Sequence, residues 1–153
     1  MKFFVLAALL CLNLTPSQTI YESLESGFLG ATRELKIQLP RNYEDNPEKY
    51  YPLIIVFDGD YLFEVVAGNV DYYSYWEDMP EAIVVGVNQT GSREQDCNIS
   101  LENYMPSKTG AQFYDFIENE LLIYMTENYR SLNFRVAVGH GETANFMNYF
   151  LFN

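Results

Sequence analysis

Two short stretches that are apolar without interruption constrain the fold of this chain more than any other feature. They cover residues 52–57 and 82–87, and each has the length of a β-strand. A strand with one exposed face alternates polar and apolar residues, whereas a strand buried on both faces is continuously apolar, as in a parallel sheet. Residues 133–138 predict a third buried strand, and the alternation over 33–39 predicts a half-buried one.

Helical patterns separate these strands. Thr109 and Gln112 form a capping box, and apolar residues at helical spacing extend the predicted helix to about Tyr129. The other predicted elements are a lead-in over 18–32, a short helix within 61–75, a polar loop over 88–108 and a last helix over 142–152. Strands that alternate with helices predict an α/β fold, with a mostly parallel sheet and helices on both faces.

The first 17 residues have the pattern of a secretory signal peptide. Lys2 precedes an apolar run over 3–14, and Thr15-Pro16-Ser17 follows with small and helix-breaking residues. The run is short for a transmembrane helix, so an uncleaved anchor is the less favoured alternative. We therefore expect a secreted or periplasmic protein with one domain over 18–153.

The charge of the chain limits its partners. Its formal net charge is −12, which argues against nucleic acid and, once the signal is removed, against anionic membranes. Removal of the signal would also remove Cys11 and leave Cys97 without an internal disulfide partner. We predict no cofactor and no metal. The Asp-Gly-Asp turn at 58–60 is only a weak calcium candidate, because it lacks the ordered ligands and the distal glutamate of an EF-hand.

Residues 138–143, with the sequence Val-Gly-His-Gly-Glu-Thr, predict a sharp turn between a strand and a helix. This is the setting in which the motif G-x-S-x-G presents a nucleophilic serine. Here the serine position holds Gly141 and the last glycine position holds Thr143. Glycine adopts the strained turn without a Cβ clash, so the sequence predicts the shape of a nucleophile elbow without its nucleophile. We expect the bulk of Thr143 to open the turn slightly.

The order of the segments resembles the Putative esterase branch of the α/β-hydrolases, which includes siderophore esterases and esterase D-like enzymes. The stretches that carry the resemblance are RELKIQLP at 33–40, YPLIIVFDGD at 51–60, AIVVGV at 82–87, SREQD at 92–96 and the helix at 110–125. The resemblance covers roughly residues 30–153. In such enzymes the nucleophile precedes the acid and the histidine, so the chain is expected to be the N-terminal half of the fold.

The resemblance also implies site residues. The N–H groups of Gly59, Asp60 and Glu142 are candidates for an oxyanion hole, and Arg93 and Asp96 are candidates for a substrate loop. The alternative for Glu142 is an acidic residue favoured by the helix dipole. Arg93 and Asp96 would either hold a substrate carboxylate or pair with each other.

Two further features of the sequence are the single histidine and a cluster of aromatic residues. His140 is expected to have a packing role without membership of a catalytic triad. The aromatic residues Tyr72, Tyr73, Tyr75 and Trp76 either line a pocket for an aromatic or sugar-like ligand or cover the sheet.

The sequence thus predicts a secreted, truncated member of an esterase family that lacks esterase activity on its own. A secreted, non-catalytic binding protein on a hydrolase scaffold is the alternative, and a longer, active gene product is a third. The expected ligand is a small ester or a siderophore-like molecule. The strand at 134–138 is expected to be an unpaired apolar edge, through which the chain would self-associate.

Overall fold

A computed structural model of the chain describes residues 19–100, 102, 103 and 105–151. The predicted signal peptide lies outside these residues. The described strands are β1 (Thr19–Ser26), β2 (Ala31–Gln38), β3 (Tyr51–Val56), β4 (Ile83–Val87) and β5 (Ser131–Val138). They form one sheet in the order β1-β2-β4-β3-β5.

The predicted α/β class with a mostly parallel sheet is confirmed. Strand β3 is parallel to both β4 and β5, while β2 is antiparallel to both β1 and β4. Among the described strands, therefore, β2 alone runs in the opposite direction. The carboxyl ends of β3, β4 and β5 meet at one edge of the sheet, which is where ligands bind in open α/β sheets.

The segment predicted as a lead-in over 18–32 is part of the sheet, because its residues 19–32 form β1, the turn that follows and the start of β2. Alternate residues of β1 face the sheet core, among them Ile20 and Leu24. Glu22 lies between them on the same face and accepts hydrogen bonds from the hydroxyls of Tyr124 and Tyr129. A carboxylate at an inward position hides the hydrophobic alternation that would have indicated a strand.

The described helices lie on both faces of the sheet, as predicted. They are α1 (Phe63–Tyr75), α2 (Arg93–Asp96), α3 (Lys108–Phe116), α4 (Leu122–Asn128) and α5 (Glu142–Met147). A π-helical turn, Ile117–Leu121, joins α3 to α4, and a 3₁₀ turn, Asn148–Leu151, follows α5. Helix α1 packs on one face through Phe63, Ala67 and Val70, and the main core, which includes Phe113 and Phe116, lies on the other.

The predicted start of helix α3 was wrong, and the predicted loop before it is not wholly irregular. The N-cap of α3 is Ser107 instead of Thr109, and its hydroxyl accepts the N–H of Gly110 at 3.5 Å. Ser107 has extended backbone angles, which an N-cap requires, whereas Thr109 lies inside the first turn. The polar loop predicted over 88–108 contains one helical turn, α2, whose position next to the sheet edge matters for the site.

Strand β5 lies at an edge of the described sheet. It pairs with β3, and no other described strand lies beside it. On one face Leu132, Phe134 and Val136 are exposed. On the other face a groove of about 430 Å³ is lined mainly by apolar residues, including Phe57, Ala137 and Met147. Both faces of the strand therefore offer apolar surface. None of the described helices is long and apolar enough to cross a membrane.

Candidate active-site elbow

The turn between β5 and α5 has the backbone of a nucleophile elbow. Gly141 is the N-cap of α5, with φ 63° and ψ −115°. Residues other than glycine adopt such angles only at a cost of about 1–3 kcal/mol. A Cβ built on Gly141 would have Arg93 Nη2 as its nearest neighbour, at 3.6 Å, so a side chain has room there. The constraint at this position is therefore conformational.

Gly139 allows α5 to approach the end of β5 closely. A Cβ at this position would lie 2.7 Å from Met147 Sδ and 2.8 Å from Thr143 Oγ1. Both distances are shorter than van der Waals contact allows. The first glycine of the motif is thus required by the packing of the helix against the strand.

The side chain of Thr143 links the turn to the end of the neighbouring strand. It is fully buried, and its hydroxyl accepts the N–H of His140 at 2.8 Å and lies 2.8 Å from Asp58 Oδ2. Asp58 follows β3, the strand beside β5. We expected Thr143 to open the turn, but the hydroxyl bonds the turn to the neighbouring strand end.

Asp58 is a buried residue whose hydrogen bonds connect the parts of the site. It is 1% exposed and has φ 55°, in the left-handed region that few residues other than glycine adopt. Arg93 Nε donates to its Oδ1 at 2.6 Å, and the Asp58 N–H donates to Gln89 Oε1 at 3.0 Å. A buried carboxylate needs such partners, because desolvation without them is costly.

Arg93 connects three parts of the elbow. Besides Asp58, it binds Glu142 Oε2 through Nη1 at 2.8 Å and the carbonyl oxygen of His140 through Nη2 at 2.9 Å. The hydrogen bond with Asp58 is the main cause that raises the pKa of Arg93. The guanidinium therefore remains charged at the opening of the site.

The predicted alternative in which Arg93 and Asp96 pair with each other is wrong. Asp96 is buried and accepts a hydrogen bond from Arg33 Nη2 at 2.6 Å, and Ser92 and Gln89 also donate to it. Burial raises the pKa of Asp96, and the charge of Arg33 opposes that rise. Within the single turn of α2, Arg93 faces the elbow whereas Asp96 faces the interior.

The three oxyanion-hole candidates differ in whether their backbone N–H group is already hydrogen-bonded within the protein. The N–H of Gly59 donates to the carbonyl of Val87 at 2.9 Å, and a Cβ there would lie 2.7 Å from the Gly86 carbonyl carbon. No described residue accepts a hydrogen bond from the N–H of Asp60 or of Glu142. The carboxylate of Asp60 accepts hydrogen bonds from Gln89 N and Thr90 Oγ1. The Glu142 side chain is exposed and pairs with Arg93.

His140 is exposed at the elbow, and its Nδ1 lies 3.4 Å from the hydroxyl of Tyr61. It is the single histidine of the chain. Sequence reasoning missed the roles of Asp58, Gln89 and Thr143, which are buried and form hydrogen bonds beneath the elbow. A signal was present, because Asp58 directly follows a buried strand. Within the described part of the chain, no group of three His, Cys, Asp or Glu side chains could hold a metal ion.

These features define a class of protein: an α/β-hydrolase-type sheet with a strand–glycine–helix elbow and a polar turn after the neighbouring strand. The family follows from comparison of sequences. The chain belongs to the Putative esterase family, whose sequence model matches residues 26–143. A search of curated proteins finds no match.

Solved structures support the same fold. An uncharacterised protein from Capnocytophaga ochracea superposes with a TM-score of 0.81 at 30% identity, over 89% of this chain and 37% of its own. An IroE-like serine hydrolase from Shewanella oneidensis gives 0.73 at 26% identity, over 84% and 44%. The enterobactin esterase from Shigella flexneri, solved with enterobactin, gives 0.68 at 17% identity, over 86% and 32%, and shows the fold alone. The chain thus spans less than half the length of these three structures.

Proposed function

We propose that this chain is a secreted member of the Putative esterase family that keeps the elbow but does not cleave esters on its own. The observation that carries the proposal is Gly141 at the elbow, with the φ and ψ of the turn and no side-chain atom that could attack an acyl carbon. Covalent catalysis requires an activated hydroxyl or thiol at this point. Without the nucleophile, no acyl-enzyme can form at this position, so we expect no ester cleavage above the background rate.

The ligand that we propose is a small ester or a siderophore-like molecule. Two of the structural neighbours are an IroE-like serine hydrolase and an enterobactin esterase, which motivates the siderophore class. In this chain the N–H groups of Asp60 and Glu142 are available to a carbonyl oxygen. Glu142 is exposed, so an anionic oxygen of a ligand could replace its carboxylate on Arg93.

Hydrolysis of p-nitrophenyl acetate tests the absence of activity. We expect the wild-type protein and the variant Gly141→Ser to remain at the background rate. His140, the single histidine, lies one residue before this position with Nδ1 towards Tyr61, so no base is expected for the introduced hydroxyl. Gly141→Ala is the matched control, because it brings the same backbone strain without a hydroxyl. Turnover by the wild type that Glu142→Gln abolishes would contradict the proposal and give Glu142 a chemical role.

A non-catalytic binding function is the second candidate. The ion pair between Arg93 and Glu142 at the open side of the elbow favours it, because a ligand anion could replace the exposed Glu142 carboxylate on Arg93. Calorimetric titration with enterobactin tests this function. We expect saturable binding that Arg93→Ala weakens and that Arg135→Ala, on an exposed part of β5, leaves unchanged. Binding that both variants leave unchanged would exclude this site, and the absence of binding would exclude enterobactin as the ligand.

Secretion is a separate part of the proposal, and the pattern of residues 1–17 supports it. Expression in a secreting host should release a protein whose N-terminal sequence begins near Gln18. A product that stays in the cytoplasm with Met1 or Lys2 at its N-terminus would contradict it.

A further inference from the structure

We propose a second ligand site, for a neutral oligosaccharide, at the end of the sheet opposite the elbow. A cleft of about 670 Å³ lies there between the segment that follows β2 and the turn that follows α1. Its residues precede the amino ends of β3 and β4, whereas the elbow lies at the carboxyl ends. The volume is within the range of about 300–1,000 Å³ that is typical of small-molecule sites.

The cations of the cleft are already neutralised by carboxylates of the protein. Arg41 makes a two-pronged ion pair with Asp71, at 2.7 and 2.5 Å, and Lys49 binds Glu81 at 2.5 Å. These hydrogen bonds are the main causes that raise the pKa of Arg41 and of Lys49. An anionic ligand would have to break one of the pairs, so the cleft does not select for anions.

Hydrogen-bonding groups without a protein partner remain along the wall. No described residue donates to the carboxylates of Glu77 and Asp78, and the side-chain amide of Asn42 has no hydrogen-bond partner among the described residues. The wall thus presents both donors and acceptors. Sugar hydroxyls donate and accept, whereas an ammonium group only donates.

An aromatic surface adjoins the cleft. The rings of Tyr75, which lines the cleft, and of Trp76 are 5.1 Å apart and nearly perpendicular, and both residues are about 60% exposed. The guanidinium of Arg41 lies 4.8 Å from the centre of the Tyr75 ring and occupies the place that a cation would take. Because both residues are about 60% exposed, ring surface remains on which the C–H groups of a pyranose ring could pack, and we take this with the paired cations to favour a neutral sugar over an organic cation.

Trp76 is the single tryptophan of the chain, and its ring contacts that of the cleft residue Tyr75, so we expect its fluorescence to respond to binding in the cleft. The protein is titrated with cellotetraose, xylotetraose and N-acetylchitotetraose while Trp76 emission is recorded. At least one of them should change the emission saturably. Calorimetry should then show that Tyr75→Ala and Trp76→Ala each weaken binding about tenfold or more, as expected for loss of a stacking ring.

The control variant is Tyr21→Ala, which removes an exposed tyrosine of β1 and should leave the affinity unchanged. Circular dichroism of each variant checks the fold. Should the aromatic variants fail to fold, Asp78→Asn tests the same wall and should also weaken binding. The absence of saturable binding by all three oligosaccharides, or binding that the cleft variants leave unchanged, would overturn the proposal.

The test also separates an organic cation from a sugar. Sugar binding should be similar at low salt and at about 0.5 M NaCl, because it does not depend on a screened charge. Spermidine serves as the cationic probe. Binding of spermidine alone, abolished by salt, would assign the cleft to cations and contradict the sugar proposal.

Discussion

Thr143 Oγ1 lies 2.8 Å from Asp58 Oδ2, and this hydrogen bond joins residues that are 85 positions apart in the sequence. Both side chains are buried. The contact fixes the start of α5 against the end of β3, and Arg93 completes it from the open side by binding the other oxygen of Asp58. The shape of the elbow therefore depends on a buried polar network as well as on glycine.

Thr143→Val should destabilise the protein strongly, although the two side chains have almost the same shape. It removes one of the hydrogen bonds to the buried carboxylate of Asp58, and such a loss costs about 1–3 kcal/mol. Urea unfolding measures the difference. Thr126→Val is the control, because Thr126 is exposed and its hydroxyl bonds only helix carbonyls. Equal midpoints for both variants would refute the role assigned to Thr143.

Gly141→Ala should lower the free energy of unfolding by about 1–3 kcal/mol, because alanine pays the steric cost of φ 63°. Gly68→Ala is the matched control. Gly68 lies within α1, with no atom within 4 Å of a built Cβ. Alanine there should raise stability by about 0.5–1 kcal/mol, since glycine is a poor helix former. Thermal unfolding compares the two, and a stabilising Gly141→Ala would contradict the strained elbow.

The ion pair of Asp71 with Arg41 should contribute to the acid limb of the stability curve. The hydrogen bond with Arg41 lowers the pKa of Asp71 below its ordinary value of 3.8. A carboxyl with a lowered folded-state pKa stabilises the protein above its unfolded-state pKa, and the contribution disappears as the pH falls through the folded-state value.

Asp71→Asn should therefore reduce stability at neutral pH by about 0.5–1 kcal/mol, the size expected for a partly exposed pair. The difference from the wild type should shrink as the pH falls from about 4 towards 2, because the carboxyl then becomes protonated in both states. Chemical unfolding over this acid range and at neutral pH measures it. A difference that is constant with pH would show that the effect of the substitution is not electrostatic.

Cys97 should be unreactive in the folded protein. It is buried, and burial raises the pKa of its thiol to about 12, which leaves almost no thiolate at neutral pH. Iodoacetamide at about pH 8 should modify the Cys97 peptide only after denaturant is added, as measured by mass spectrometry. Labelling at equal rates with and without denaturant would mean that the segment around α2 opens readily.

Self-association through β5 remains a prediction, and the exposed side chains of Leu132, Phe134 and Val136 motivate it. Sedimentation should detect association of the wild-type protein. Phe134→Lys places a charge on the strand and should suppress it. Phe28→Lys is the control, since Phe28 is exposed at the turn between β1 and β2. A monomeric wild type, or equal suppression by both variants, would remove β5 as the contact.

The parts of the fold that sequence predicted are those set by local pattern. The continuous apolar runs indicated β3 and β4, because a strand buried on both faces has no polar positions. The parts that it missed depend on distant partners. The strand character of β1 is hidden by Glu22, whose hydrogen-bond partners lie more than 100 residues away in Tyr124 and Tyr129.

The candidate site likewise contains one part that the local sequence predicted and one part that it did not. The special role of Gly141 follows from the local motif, because the sharp turn itself requires an unusual φ. The partners of Arg93 and Asp96 do not follow from it. Arg93 binds Asp58, and Asp96 binds Arg33, because the two residues point in different directions from the single turn of α2. The orientation of that turn is fixed by its packing, which the local sequence does not reveal.

The most direct test of the central claim, an elbow that keeps its shape without a nucleophile, is the rate of p-nitrophenyl acetate hydrolysis as a function of protein concentration. The wild-type protein and Gly141→Ala should both give the rate of buffer alone at every concentration. A rate that rises in proportion to wild-type protein, and that Gly141→Ala abolishes, would contradict the account by showing that the glycine elbow supports catalysis.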